Sequence, residues 1–452
     1  MKPKRELGEL LRLAAPLAAA QAGTQLMGVV DTAVVGRLGA LELGAVGLGN
    51  TIFFAISIVG MGIVMGIDPL ASQAYGAGEL VRARRVLWQG VWLSVIVGAV
   101  LMIPMSLSPL LLSRLAIDPA VVTESNAYVQ VRMLSLVPAL LFIVVRSYLQ
   151  AKGITRPMVT AMVVGNIFNL IADIVFVFGG SVLPAWSGPL QDLPAFGVTG
   201  AAIATLLGSF VQLAIIAEGV RRLPVAGFVA EMRRPSARDL RQAFGIGLPV
   251  GLQWGAEVGI FALVALLAGR FGNQELAAHQ IAITLASFTF TVALGVGAAG
   301  SVRVGQSIGA RDQAATRTSG MVAFAAGCGV MSLSALMFLL FPRQLASILT
   351  NDTSVLAVAV PLLAVAAVFQ ISDGVQAIGA GVLRGAGDTR FAFFANIIGH
   401  WLIGFPVAIA LGFSMRLGIV GLWWGLCAGL SAVALLLFLR FVKLSSRPII
   451  PL

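Results

Sequence analysis

Four acidic residues, Asp31, Asp173, Glu257 and Asp373, lie inside long apolar stretches of the chain. An ionised carboxylate at mid-bilayer costs roughly 2.5–3.5 kcal/mol on insertion scales, so such a residue marks an ion or substrate path by default. Desolvation favours the protonated carboxyl, which lets the group load and release a proton near neutral pH. With amide and carbonyl oxygens beside it, the same group suits Na+, a hard cation that prefers oxygen ligands. The spacing supplies such companions. Gln21, Thr24, Gln25, Gly28 and Asp31 recur on one helical face, and Asn169 and Asp173 are one turn apart. Gln370, Asp373 and Gln376 share a face, and Gln253 and Trp254 lie one turn before Glu257. Asp31 and Asp173 fall at similar depth and are expected to share one site. Glu257 and Asp373 fall near the middle of their stretches and are expected to form a second. The plainer alternative for each acid is a satisfied interhelical hydrogen bond.

The elements that must carry these residues follow from composition. Of 452 residues, 58% are apolar and 11% charged, and the mean hydropathy is +0.97. Soluble domains are about a quarter charged. A soluble enzyme, a disordered chain and a nucleic-acid binder are therefore excluded, and the expected class is an all-α polytopic membrane protein. A spanning helix needs about 20 mostly apolar residues. Twelve stretches qualify: 13–36, 45–70, 87–109, 128–150, 158–179, 198–220, 243–268, 278–301, 319–341, 355–382, 391–413 and 418–440. Cys328 and Cys427 both fall in apolar segments and cannot build a disulfide framework or a zinc site. No phosphate-binding loop, catalytic triad or hydrolase motif occurs, so no enzyme activity, ATP use or cofactor is expected. The charged N-terminus carries no cleavable signal pattern, and the first apolar segment is expected to be retained.

Twelve spans put both termini on one side. That side receives all but six of the 30 Lys and Arg residues, Lys2 among them; the other receives Arg37, Arg114, Arg132, Arg270, Arg343 and Arg416. This bias makes the first side cytoplasmic and the +11 net charge chiefly an orientation signal.

The chain also repeats itself. At an offset of 233, Pro16 meets Pro249, Arg37 meets Arg270, Gly39 meets Gly272 and Glu42 meets Glu275. Gln73 and Gly76 meet Gln306 and Gly309 at the same offset, and Gly153, Thr155 and Arg156 meet Gly387, Thr389 and Arg390 at 234. Gly197, Gly200 and Gly208 meet Gly418, Gly421 and Gly429 at 221. Six helices per copy give two parallel repeats, an arrangement of secondary transporters. The expected division is an N-lobe 1–220, a basic cytoplasmic linker 221–241 and a C-lobe 242–452. Residues needed for packing should recur in both copies, as Glu42 and Glu275 do. The intramembrane acids do not: Asp31 pairs with Val264, Asp173 with Val407, Glu257 with Thr24 and Asp373 with Ala139.

Other polar residues have plainer readings. Asp68, beside Pro69, reads as an interfacial helix-end residue. His279 and His400 read as packing or hydrogen-bonding residues, with no acidic or Cys cluster to make a metal site. Arg146 and Arg303 read as snorkelling from inner helix ends.

At this level of detail the sequence resembles the multidrug and toxic compound extrusion (MATE) family over nearly its whole length. The resemblance rests on Val30-Asp31-Thr32, on the segment from Pro69 to Gly76, on Glu257 and on the segment from Ser301 to Gln306. The stretch from Phe369 to Gln376, with Asp373 inside it, and Leu383-Arg384-Gly385 look closest to the NorM branch. Gly165-Asn166, Asn169, Asp173 and the segment from Gly200 to Thr205 look more like the DinF branch. The resemblance implies two six-helix lobes around a cleft, and export of cationic or amphipathic compounds in exchange for H+ or Na+. It implies a C-lobe cation site at Glu257 and Asp373, and an N-lobe site at Asp31, Asn169, Asp173 and Thr205. Gln25, Gln253, Trp254, Gln370 and Gln376 are the expected substrate-contacting residues. Small organic cations are the expected partners, with membrane lipid around a monomer and no nucleic acid, in a bacterial inner membrane. A flippase for lipid-linked saccharides in the same superfamily is the alternative. It would favour a cationic cavity, whereas the intramembrane charges here are mainly acidic. A channel or receptor with structural acids is a further alternative.

Overall fold

The structure, a computed structural model, describes residues 3–112, 114, 117–448 and 450–452. Lys2, assigned above to the cytoplasmic side, lies outside the described residues. Among these residues, twelve helical spans are long and apolar enough to cross a membrane. They are α1 (Pro3–Val35), α2 (Ala40–Gly76), α3 (Leu80–Leu110), α4 (Pro119–Ala151), α5 (Arg156–Phe178), α6 (Gly197–Arg221), α7 (Ala230–Ala268), α8 (Asn273–Gly309), α9 (Gln313–Leu340), α10 (Thr353–Gly385), α11 (Thr389–Ser414) and α12 (Gly418–Ser445). Nine of the expected stretches sit inside one of these spans, and those ending at 36, 179 and 341 overrun theirs by one residue. The spans run longer because their ends are polar, capped turns that hydropathy does not register. Asp118, Asp312 and Asp352 cap α4, α9 and α10, each accepting a backbone N–H of the first turn through its carboxylate.

The repeat is visible in the backbone. The left-handed turns after α4 and α10 fall at Gly153 (φ 79°) and Gly387 (φ 81°), and those before α6 and α12 at Gly197 (φ 54°) and Gly418 (φ 60°). The turn before α3 uses Gly78 (φ 76°), and its mate before α9 uses Arg311 (φ 57°), a strained choice for a residue with a Cβ. Glu42 and Glu275 curl back over the glycines that start their helices, Gly39 and Gly272. Acids in a first turn complement the helix dipole, which explains why these two recur.

The chain forms two compact units. Unit 1 is Met1–Gln21, Asp68–Leu80 and Leu252–Leu452; unit 2 is Ala22–Ile67 and Val81–Gly251. These borders follow contacts, not the repeat, and several fall within helices. In unit 1, Gly76 lies against the backbone of Gln306 while Gly309 lies against that of Gln73, a reciprocal pair at the repeat offset. Gly295 of α8 likewise meets Ala14 and Ala18 of α1. In unit 2, Gly62 and Gly66 of α2 meet Gly251 and Gly247 of α7. Small residues permit this backbone approach where lipid provides no hydrophobic drive between helices.

Two polar readings change with the structure in view, and Asp68, a helix-end residue as expected, gains a partner. Arg303 does not snorkel. It grips the fully buried Glu6 with two bonds, Nε to Oε1 at 2.8 Å and Nη2 to Oε2 at 2.6 Å, and Ser319 donates to the same carboxylate at 2.8 Å. Hydropathy missed this because α1 begins at Pro3, ten residues before its apolar stretch, and brings Glu6 into the packed interior. Asp68 opens a short helix, Ile67–Gly76, and pairs with Arg384 at 3.2 Å. The basic stretch 221–241, read as a connection, is bound along α3 within unit 2, through Arg84, Arg85, Gln89 and Trp92.

Two outcomes follow. Gly76→Val or Gly309→Val forces a side chain into a backbone carbonyl and should lower the thermal midpoint in detergent by several degrees, on the order of 1–3 kcal/mol of overpacking. Gly44→Ala, with open space around it, should leave the midpoint unchanged. Glu6→Ala strands a half-buried guanidinium and should lower the midpoint further, by on the order of 3 kcal/mol. A Glu6→Ala protein as stable as the parent would remove the ion pair from the account of this fold.

Candidate functional site

Unit 2 brings Asp31, Asn169, Asp173 and Thr205 together. All four are buried, Asn169 and Asp173 completely. Their placement begins with close packing of α5 on α6, because Gly200 rests on the carbonyl of Phe176 and Gly165 on the side chain of Gln212. Asn166 then ties α5 to α1, donating from Nδ2 to the Gly23 carbonyl at 2.8 Å. Thr205 faces Asp31 Oδ2 at 3.3 Å and the Ala201 carbonyl at 3.0 Å. A hydroxyl has one proton, so these two acceptors compete for it. The Asp173 carboxyl and Asn169 amide both act on Asp31 at side-chain range. Asp31 Oδ1, both Asp173 oxygens and both Asn169 amide atoms are hidden from solvent without a hydrogen-bond partner among the described residues. Such groups cost about 1–3 kcal/mol each when left unpaired.

Two residues of α4 complete this cluster. Tyr128 is fully buried and donates to Asn50 Oδ1 at 2.9 Å. The Arg132 guanidinium lies 4.5 Å over the Phe53 ring, donates to Ser135 Oγ at 3.0 Å, and acts electrostatically on both Asp31 and Asp173.

Unit 1 brings Glu257, Asp373 and Gln376 together. Gln376 Nε2 donates to Glu257 Oε1 and Oε2 at 3.4 and 3.3 Å. Asn396 of α11 donates to Glu257 Oε2 at 3.4 Å. Asp373 is buried, and Glu257 is the acidic neighbour that acts on it. Gln370 accepts from Thr289 Oγ1 of α8 at 2.8 Å, one turn from Asp373. The span α11 is held to α7 by Trp401 Nε1, which donates to the Ala256 carbonyl at 3.3 Å. Directly after Asn396 the helix widens into π turns over Ile397–Gly404 and again over Ala410–Ser414. Inserted π turns recur at functional sites, where they re-aim side chains. Here His400 lies within the first of them, its Nδ1 3.3 Å from the Asn396 carbonyl, its ring centroid 6.4 Å from that of Phe261 and its Nε2 buried without a partner among the described residues. Gln376 Oε1 and Asn396 Oδ1 are also buried and have no hydrogen-bond partner among the described residues. His279 belongs elsewhere, accepting from Trp423 Nε1 at 3.2 Å in packing that matches its plainer reading.

The expected substrate-contacting residues divide between the units. Gln25 is exposed in unit 2; Gln253 is buried and Trp254 half-buried in unit 1, with Gln370 and Gln376 in the cluster just described. The residues that sequence reasoning missed are Tyr128, Arg132, Asn396 and Thr289. The repeat carried a signal for three of them. At an offset of 234, Tyr128 meets Leu362, Arg132 meets Ala366 and Asn396 meets Met162, so the symmetry test applied to acids singles them out too.

One family model, MatE, matches residues 16–175 and 249–410, two segments that begin at the offset of the repeat. The multidrug resistance protein NorM of Burkholderia vietnamiensis is 36% identical over 450 residues, covering 98% of this chain and 95% of that protein. The probable multidrug resistance protein NorM of Bradyrhizobium diazoefficiens is 35% identical over 456 residues, covering 98% and 94%. A solved MATE in the bent conformation superimposes with a TM-score of 0.86 at 23% identity, over 99% of this chain and 98% of that one, and shows the same fold. With a doubled match to the family model, relatives above 30% identity end to end and a shared twelve-helix fold, the chain belongs to the MatE family.

Proposed function

We propose that this protein is a secondary multidrug efflux antiporter, exporting cationic and amphipathic small molecules in exchange for H+ or Na+ by alternating access of its two repeats, 1–220 and 242–452. The observation that carries this reading is the pair of acidic clusters that hold buried oxygens without a partner among the described residues: Asp31 Oδ1 and both Asp173 oxygens in one, and Gln376 Oε1 and Asn396 Oδ1 beside Glu257 in the other. A proton or a sodium ion supplies what such clusters lack. When the ion leaves, the clusters regain their cost, and that difference is what couples ion movement to a change of state. One cation moving inward down 100 mV provides about 2.3 kcal/mol. The relatives named multidrug resistance protein supply the substrate class. The basic inner loops support two cytoplasmic termini in a bacterial inner membrane. A carrier for a lipid-linked pyrophosphate would want cations where these clusters hold carboxyls.

The direct test is ethidium efflux from proteoliposomes with Na+ and pH gradients imposed separately. One or both gradients should drive efflux, and Asp31→Asn and Glu257→Gln should each reduce it at least tenfold at normal expression. Unchanged efflux in both variants would sink the coupling role.

A second outcome separates function from architecture. Asp173→Asn replaces one of two facing carboxyls with an amide that can donate to Asp31. At alkaline pH it should raise the thermal midpoint by about 2–4 °C, for about 1 kcal/mol gained, while efflux falls. A drop in midpoint would mark Asp173 as a structural residue.

A further inference from the structure

The basic stretch 221–241 is built as a feature of its own. It holds six arginines, Arg221, Arg222, Arg233, Arg234, Arg238 and Arg241, against two acids, Glu231 and Asp239. Arg221 and Arg222 are taken up by Glu218 of α6, and Asp239 is taken up by Arg85 of α3 at 2.8 Å. Arg233 stacks 5.2 Å over the Trp88 ring. Arg234, Arg238 and Arg241 are exposed and form no ion pair among the described residues.

Its backbone is clamped by α3. The Gln89 amide, 2% exposed, donates to the Arg234 carbonyl at 2.9 Å and accepts from the Ser236 N–H at 2.9 Å. Trp92 Nε1 donates to the Arg233 carbonyl at 2.8 Å, and the Arg84 guanidinium donates to the Leu223 carbonyl. Trp92 is twelve residues into α3, about 18 Å along its axis at about 1.5 Å per residue. It belongs to the apolar stretch that begins at 87, so the clamp brings the Arg233 backbone to the level of the first turns of that stretch. Trp92 keeps 39% of its surface exposed at that level and Val229 keeps 48%, the mix of aromatic, aliphatic and cationic groups suited to a headgroup region.

The repeat shows that this clamp is not needed to close a six-helix unit. Its mates at an offset of 233 are Thr318 for Arg85, Met321 for Trp88, Val322 for Gln89 and Ala325 for Trp92. We infer that the clamped stretch 221–241 is a binding surface for the headgroup of an anionic phospholipid, with Arg234, Arg238 and Arg241 facing the phosphate and Trp92 and Val229 against the glycerol and upper acyl region. Each arginine near an anionic leaflet contributes roughly fivefold in affinity, so three arginines on a fixed backbone make a saturable site.

The test titrates purified protein in non-ionic detergent with dioctanoyl phosphatidylglycerol and follows the thermal midpoint. The lipid should raise the midpoint saturably. Arg234→Gln, Arg238→Gln and Arg241→Gln together should weaken the apparent affinity at least tenfold, and the same three sites as Lys should keep most of it. A control that removes equal charge from exposed positions in unit 1, Arg317→Gln, Arg390→Gln and Arg447→Gln, should stay within twofold of the parent. Dioctanoyl phosphatidylcholine and soluble glycerol phosphate should have no effect at matched concentration. Equal losses in the two triple variants would reduce the effect to net charge and overturn the site. A phosphatidylcholine response equal to that of phosphatidylglycerol, or an equal response to glycerol phosphate, would overturn the lipid assignment. If the Gln triple variant fails to give monodisperse protein, the Lys variant and a salt titration of the parent decide: an affinity that does not fall with salt contradicts the proposal.

Discussion

A polar group in hydrocarbon must find its partner inside the protein, since no water is there to serve as one. Most of this chain obeys that constraint. Glu6 is closed by Arg303 and Ser319, Asp68 is met by Arg384, Trp423 is bonded to His279 and Trp401 to a backbone carbonyl. Two clusters are among the places that break it. Around Asp31 and Asp173, and around Glu257, Gln376 and Asn396, buried polar atoms lack partners among the described residues. Several of these atoms, those of Asp31, Asp173 and Asn396, belong to residues that break the internal repeat. Glu6, by contrast, is closed by three hydrogen bonds, so an open carboxylate is not a general consequence of burying an acid in this fold.

Holding the clusters open requires rigid surroundings. In unit 2 the rigidity comes from glycine contacts that press α5 on α6, and from Asn166 on α1. In unit 1 it comes from α11, where π turns begin right after Asn396 and Gly399 and Gly404 pack against Gly429 of α12. Each cluster is assembled from three or four spans, so a relative shift of any one span alters how many oxygens an ion finds. That sensitivity is what a carrier needs, because affinity must differ between its states for an ion to move the equilibrium.

The architecture was legible in the sequence because it rests on period and offset. Twelve apolar stretches became twelve spans, and repeated glycines such as Gly153 and Gly387 became matching left-handed turns. The acids were legible because charge in an apolar run is conspicuous. Asn396 and Tyr128 were not conspicuous, since an amide or a phenol hardly changes the hydropathy of a helix. Glu6 was hidden for a different reason: it lies among ordinary charged residues of the N-terminus, and only the extension of α1 to Pro3 buries it. The basic stretch 221–241 looked like a solvated connection because the side chains that bind it, Gln89 and Trp92, lie more than 120 residues away. Contacts of that kind leave no local pattern.

The central claim is that the open carboxyl clusters take up the coupling ion. The most direct measurement is ion uptake and release by purified protein in detergent, using radiolabelled sodium binding and proton release on addition of ethidium. The expected result is saturable sodium binding or a stoichiometric proton release in the parent protein, absent when Asp31→Asn and Glu257→Gln are combined. A double variant that binds sodium and releases protons as the parent does would contradict the claim.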